Sequence, residues 1–455
     1  MSPPPVAPQT SFRVEPNATC LGCGCACDDI AVTVRDGRIV EAANACVLGA
    51  DWFGDGQAPA RARVGGQTVS IDEALAVAAG VIAAATRPLV YLAPDLTCEA
   101  QREGVALADA IGAALDTVTS DTAWGTILAA QERGRASATL GEGRHRADVV
   151  VWWGIDPARR YPRYAERYVP LPIGLHAPDG RASRTVLSVD VGEAPAPADA
   201  DRRFALPRED EIATLTALRA LLLAAAPAAE SGAAAPADPL AAAIWARARV
   251  LASALAAGRY VWIVADGERA PGVDPSADQA RLSALIALAQ ALNGPTRSAL
   301  SLLRAGGNRS GADAVLTAQT GYPLAVDFSR GWPRYRPYDG TAAQLVRRGE
   351  VDAFIVIGSA EGLAPDLAAA LTAVPAVVIG PGASEVARVR ARVAIDTGRA
   401  GVHDEGTVLR LDDVALPVRA LVAGPPAAAM VVKALTEAVV TRTTNTSKLL
   451  TRRTS

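Results

Sequence analysis

Lysine is almost missing: Lys433 and Lys448 are the only two in 455 residues, and arginine supplies the rest of the 45 basic side chains. That bias follows genome composition, so the arginine count by itself carries no functional weight. Against 48 acidic residues it leaves a net charge of -3 and a pI near 5.8, which excludes the strongly basic face of a general nucleic-acid binder. Half the residues are hydrophobic, yet no uninterrupted apolar run reaches the roughly 18 residues of a membrane span. The N-terminus, MSPPPVAPQTSFRVEP, lacks the basic start and apolar core of a signal peptide. A cytoplasmic protein is expected, and there structural disulfides are rare. Histidine is scarce too: His145, His176 and His403 stand alone, none at metal-binding spacing from another. Cysteine is the exception, since four of the chain's six fall within eight positions of TCLGCGCACDDI, residues 19–30.

The length exceeds what a single core usually fills, so at least two domains are expected. A Pro-rich leader, 1–17, precedes a cysteine-rich subdomain, 18–62. In the latter, DIAVTVRDGRIVEAANAC alternates apolar and polar residues about Asp36-Gly37, the pattern of a tight hairpin. From Val64 the pattern becomes βα. PLVYLAP, ADVVVWWGIDP and TVLSVDV read as buried strands separated by helical segments, and place a first α/β domain at 63–224. An Ala/Pro-rich linker, 225–238, leads to a second α/β domain at 239–395, with RYVWIVAD, VDAFIVIGSA, PAVVIGP and RVAIDTG as strands and a helix from about Ala277 to Leu292. A C-terminal segment, 396–440, returns to the core, and a frayed basic tail covers 441–455. The fold class is therefore α/β with two parallel-sheet domains. Ligands in such sheets collect outside the carboxyl ends of strands, here after Trp153, Asp190, Ile357 and Ile395.

Cys20, Cys23, Cys27 and Cys46 make C-x2-C-x3-C-x18-C, with Cys25 as a fifth sulfur. A compact loop can turn three thiolates toward one centre while the end of the hairpin brings the fourth, as in an iron-sulfur site. Zinc also takes four ligands, but usually from two CxxC-like knuckles, and only one such pair is present. A redox dithiol, or a cluster of thiols with no metal, is the third alternative.

The segment CLGCGCACDDIAVTVRDGRIVEAANACVLGADWF resembles the N-terminal part of the B subunit of formylmethanofuran dehydrogenase, a relative of the molybdenum and tungsten formate dehydrogenases. ADVVVWWGIDPARRYPRY, TGYPLAVDFSRGWPRY, GEVDAFIVIGSAEGLAP and EGTVLRLDD resemble the same subunit in the same order, over most of residues 18 to 420. The resemblance implies the formate dehydrogenase type of fold and a 4Fe-4S cluster on Cys20, Cys23, Cys27 and Cys46. It also implies a cysteine followed by a histidine, after a strand ending in Asp, as the ligand of molybdenum or tungsten. The corresponding window, DTVTSDTAWG at 116–125, has neither, and no cysteine occurs after Cys98. A pterin-bound Mo or W centre is therefore not expected.

A scaffold role is expected instead: a redox-inactive B-like subunit of a formyltransferase/hydrolase complex. Such a complex passes a formyl group from tetrahydromethanopterin to methanofuran and releases formate. Its partners would be an amidohydrolase-like subunit, a formyltransferase-like subunit and one more, with a methanofuran-type carrier as ligand. The alternatives are an active dehydrogenase subunit and an independent electron carrier. In DFSRGWPRYRPYDG, Arg330, Arg334 and Arg336 lie among aromatics and offer forked donors to the carboxylates of such a carrier. They could equally pair with Asp327 and Asp339. Arg159, Arg160 and Arg163 of GIDPARRYPRY, after a strand, suit an anion or a subunit contact. RAGGNRSG at 304–311 is a flexible turn able to offer N-H groups to an anion. HDEG, from His403, resembles a polar pocket lining.

Overall fold

The computed structural model describes residues 12–169, 173–194, 197–224, 238–386 and 391–454. Two compact units emerge, and they are not the two halves of the chain. Residues 1–121, 306–410 and 415–455 make the first, and 122–305 with 411–414 the second. The expected boundary at 225–238 is thus replaced by an insertion of one unit within the other. Residues 225–237 lie outside the described residues, and Asp238 caps the next helix by accepting the Ala241 N-H at 2.8 Å.

Strand pairing explains the difference. In the second unit Arg202–Leu206, Thr185–Val191, Val149–Trp153, Tyr260–Asp266 and Arg297–Leu303 form one parallel sheet in that order. Its central pair, Val149–Trp153 with Tyr260–Asp266, joins segments from either side of residues 225–237. Both are continuous apolar runs, VVVWW and YVWIVAD, as strands buried on two faces require. The helix Pro275–Leu292, started by Pro275 and the Asp274 carboxylate, covers this sheet through Leu282, Leu285 and Ile286.

The first unit holds a nine-stranded sheet. Ala114–Thr117, Pro88–Leu92, Ala353–Ile357, Ala376–Gly380 and Val393–Asp396 run parallel at its centre. Helices Ile71–Ala83, Cys98–Ala110, Arg309–Thr320 and Ala428–Thr454 supply the core on one face. Ala342–Arg347 and Pro365–Ala373 supply it on the other. The expected tail at 441–455 is, to Thr454, part of that last helix.

The cysteine-rich subdomain belongs to this unit. Its hairpin pairs Ile30–Arg35 with Arg38–Ala43, and Asp36 and Gly37 take φ of 51° and 75°, the positive pair that a type I′ turn needs. Residues 12–17, expected in the leader, instead join Ala18 as a third, edge strand against Ile30–Arg35. Residues 1–11 lie outside the described residues.

One helix, Pro239–Ala256, is long and apolar enough to cross a membrane by length and composition alone. Its Ile244, Ala248, Leu251 and Leu255 are buried in the core of the second unit.

Candidate functional site

The three-stranded sheet ends at Ala18, and the chain then closes a tight loop in which the Cys20 N-H donates to the Cys27 carbonyl at 2.8 Å. Cys20, Cys23, Cys25 and Cys27 are all buried, and Cys46 is half-buried. Cys46 stands at the N-cap of the helix Val47–Phe53, and its carbonyl accepts the Ala50 N-H. None of the six cysteines takes part in a disulfide. Burial pushes the Cys20 thiol far up; the Gly22 N-H opposes this, and repulsion from Cys23, Cys27 and Cys46 adds to it. The structure therefore brings the four predicted cysteines into one electrostatic neighbourhood. Among the described residues no three Cys, His, Asp or Glu side chains converge tightly enough to hold a metal ion. Thiolates on one zinc ion stand about 2.3 Å from it, whereas a cluster gives each thiolate its own iron.

Glycines bring the surrounding backbone up to the loop. A Cβ on Gly22 would stand 2.4 Å from the Leu48 carbonyl oxygen, one on Gly306 2.6 Å from the Gly22 oxygen, and one on Gly49 3.1 Å from the Cys20 Sγ. The Gly307 N-H donates to the Leu21 carbonyl and the Asn308 N-H to that of Pro94. Of the N-H groups of RAGGNRSG, that of Gly307 thus holds the cysteine loop and that of Asn308 holds Pro94. Behind the turn, fully buried Asn308 donates to the Leu96 carbonyl at 3.0 Å and accepts the Leu409 N-H at 2.8 Å.

Below the loop, Leu21 and Ala26 pack with Ala400, Val408 and Val418, against Trp52 and Leu416. Arg399 lies 5.5 Å from the Trp52 ring centroid and donates to its carbonyl at 2.9 Å. His403 accepts the Arg399 N-H on Nδ1, so Nε2 carries the proton donated to the Gly56 carbonyl at 3.0 Å. Burial holds its pKa below the ordinary value. Asp404 is buried, accepts the Ala428 N-H at 3.0 Å and leaves its other oxygen without a partner; burial raises its pKa to about 6. Glu405 is exposed.

The window 116–125 begins with the last two residues of the strand Ala114–Thr117, continues as a short helix, Val118–Thr122, and ends at the start of Trp124–Arg133. Its polar groups serve the fold. The Asp116 carboxylate, fully buried, accepts the Ala342 N-H at 2.6 Å, the Ala325 N-H at 3.1 Å and the Ser120 hydroxyl. Burial raises it to about 7. Tyr91 donates its hydroxyl to Asp121 at 2.6 Å, and Thr119 donates to Asp313 at 2.6 Å.

The arginines are largely answered from within. Arg334 pairs with Asp327, and Arg336 with Asp339 at 2.6 Å and Asp327 at 3.4 Å. Burial alone would raise Asp327, but hydrogen bonds from Ser329 and the two guanidinium groups hold it below the usual range. Arg334 and Arg336 thus make the pairs with Asp327 and Asp339 that the sequence offered as the alternative to an external carboxylate. Arg330 is exposed and has no ion pair among the described residues. In the second unit Arg160 pairs with Asp266, Arg163 with Glu166 at 3.1 Å and Arg159 with Asp156 at 4.0 Å.

No family model matches the chain. It is 32% identical over 425 residues to the B subunit of the tungsten-containing formylmethanofuran dehydrogenase 2 of Methanocaldococcus jannaschii, covering 91% of this chain and 95% of that one. The chain belongs to the family of formylmethanofuran dehydrogenase B subunits. The B subunit of the same name from Methanococcus maripaludis is 29% identical, again over 91% of this chain and 95% of the relative. In fold, the chain is similar to one in the crystal structure of the formyltransferase/hydrolase complex (FhcABCD) from Methylorubrum extorquens in complex with methylofuran. The TM-score is 0.68 at 24% identity, over 84% of this chain and 99% of that one.

The chain holds Cys20, Cys23, Cys25 and Cys27 in a buried loop, with Cys46 half-buried at the start of the helix Val47–Phe53. The glycine contacts that hold the loop escape sequence reasoning; the only signal for them is Gly306-Gly307 itself.

Proposed function

We propose that this chain is the B-type frame of a complex that transfers a formyl group to a methanofuran-type carrier and releases formate, with the reacting groups on partner chains. Those partners are an amidohydrolase-like subunit, a formyltransferase-like subunit and one more, and the setting is the cytoplasm. The observation that carries this reading is the window 116–125. It offers neither thiol nor imidazole, and Asp116, Thr119, Ser120 and Asp121 all take part in internal hydrogen bonds. A molybdenum or tungsten centre held by a soft protein ligand does not fit these residues. The likeness in fold to a chain of the formyltransferase/hydrolase complex supports the same reading.

An iron-sulfur cluster fits the cysteine loop: four thiols share one environment, and Gly49 keeps open the space beside the Cys20 Sγ. Cys20, Cys23, Cys27 and Cys46 would hold it, and it would supply one-electron transfer. That favours the second reading, an active dehydrogenase subunit like the tungsten-containing relatives.

The test is the chemistry of the complex copurified with this chain. Formate released from a formylated pterin carrier, with no electron acceptor present, supports the frame. Formate or formyl oxidation that requires an acceptor supports the dehydrogenase.

A further inference from the structure

Of the seven tryptophans only Trp332 is exposed, at 58%. It sits at the tip of a two-residue pairing, Val326–Asp327 with Arg334–Tyr335, at one edge of the nine-stranded sheet. Both sides of the tip are fixed. Tyr335 stacks on Tyr322 at 5.0 Å, the Gly331 N-H donates to the Phe328 carbonyl, and Asp327 accepts the Ser329 N-H as well as Arg334 and Arg336. Gln344 donates to the Tyr338 carbonyl at 2.6 Å, while the Tyr338 ring is 67% exposed. Two arginines and two aspartates thus hold the loop that presents the exposed Trp332, the kind of rigid, low-entropy anchor that dominates protein interfaces.

The tip is convex, since Ser329, Arg330, Gly331 and Trp332 are all exposed, whereas small ligands take concave sites. Its polar ends are also of one kind. The Arg330 guanidinium and the Trp332 indole only donate hydrogen bonds, and Arg330 has no internal acid among the described residues. A matching surface must supply acceptors and negative charge.

We propose that the Arg330–Trp332 tip docks onto another protein subunit of the complex, which receives the indole in an apolar pocket edged by an Asp or Glu that pairs with Arg330. This rests on the reading of the chain as a complex subunit.

The experiment coproduces the full chain with its amidohydrolase-like and formyltransferase-like partners and measures subunit affinity by analytical ultracentrifugation. Trp332→Ala and, separately, Arg330→Glu are compared with the unaltered chain. Each should weaken assembly at least about tenfold, the scale of an interface anchor, with the melting temperature of the isolated chain unchanged. A photo-crosslinking residue at position 332 should join one partner beside an acidic residue. Unchanged assembly in both variants overturns the docking tip but leaves the proposed function standing. Unchanged assembly with weakened methylofuran binding overturns it in favour of a carrier contact. A dimer of the isolated chain that Trp332→Ala abolishes overturns it in favour of self-association. If the unaltered chain assembles with neither partner, the proposed function fails, and the docking tip with it.

Discussion

Gly306 faces the carbonyl oxygen of Gly22 so closely that a methyl group on it would stand 2.6 Å away, well inside contact distance. The cysteine loop is therefore set by a segment nearly three hundred residues further along the chain. Its neighbour Gly307 has a φ of 85°, donates to Leu21, and would place a Cβ 2.3 Å from the Pro94 carbonyl oxygen, so a side chain at either glycine forces the backbone to shift. Gly306→Ala should lower the melting temperature and expose the cysteines. The check is thiol titration under native conditions, where Cys20 and Cys23 should react faster than in the parent protein.

Asn308 closes the same turn from behind. Replacing it with Leu removes the donor to Leu96 and the acceptor for the Leu409 N-H in a fully buried place. A loss of about 2–4 kcal/mol is expected, measured by denaturant unfolding. A loss below about 0.5 kcal/mol, the range of a surface change, would show that these bonds do not bear on stability.

The ligand set has its own test. After anaerobic reconstitution with iron and sulfide, Cys20→Ser, Cys23→Ser, Cys27→Ser or Cys46→Ser should each cut bound iron sharply. Cys25→Ser should keep it, since Cys25 stands outside the C-x2-C-x3-C-x18-C set. Iron analysis decides, and loss in Cys25→Ser equal to that in Cys20→Ser would redraw the set.

Much of this architecture is legible in the sequence. Asp36-Gly37 announces its hairpin because few residues tolerate two successive positive φ angles. The apolar runs at 149–153, 260–266 and 353–357 announce buried parallel strands. Periodicity, however, says only that a strand is buried on both faces, not which strand lies beside it. The pairing of Val149–Trp153 with Tyr260–Asp266 across the Ala/Pro-rich stretch is therefore hidden, and with it the nesting of one unit in the other. The spacing of the cysteines points to one shared site but leaves iron-sulfur, zinc and metal-free thiols open, and the burial of Cys20, Cys23 and Cys27 becomes visible only in the fold. The arginines of 330–336 do not show their role by spacing, because the same forked donors serve an external carboxylate or Asp327 and Asp339, and only coordinates separate the two.

Asp404 gives a pH test. Its pKa stands at about 6 in the folded chain against an ordinary value of 3.8, so the folded state binds the proton more tightly than the unfolded one. Stability from this group is full below the lower value and is lost as pH rises through the upper one. Asp404→Asn keeps an acceptor for the Ala428 N-H and removes the titration. Across pH 4 to 6 the parent should lose on the order of 2 kcal/mol relative to the variant, read by paired denaturant titrations. Parallel curves would place the proton elsewhere.

The central claim is that this chain frames formyl transfer without holding molybdenum or tungsten. The most direct measurement is elemental analysis of the copurified complex for tungsten and molybdenum, beside its activity without an electron acceptor. The frame predicts formate release with neither metal above trace. Stoichiometric tungsten or molybdenum, with activity that needs an acceptor, would contradict it.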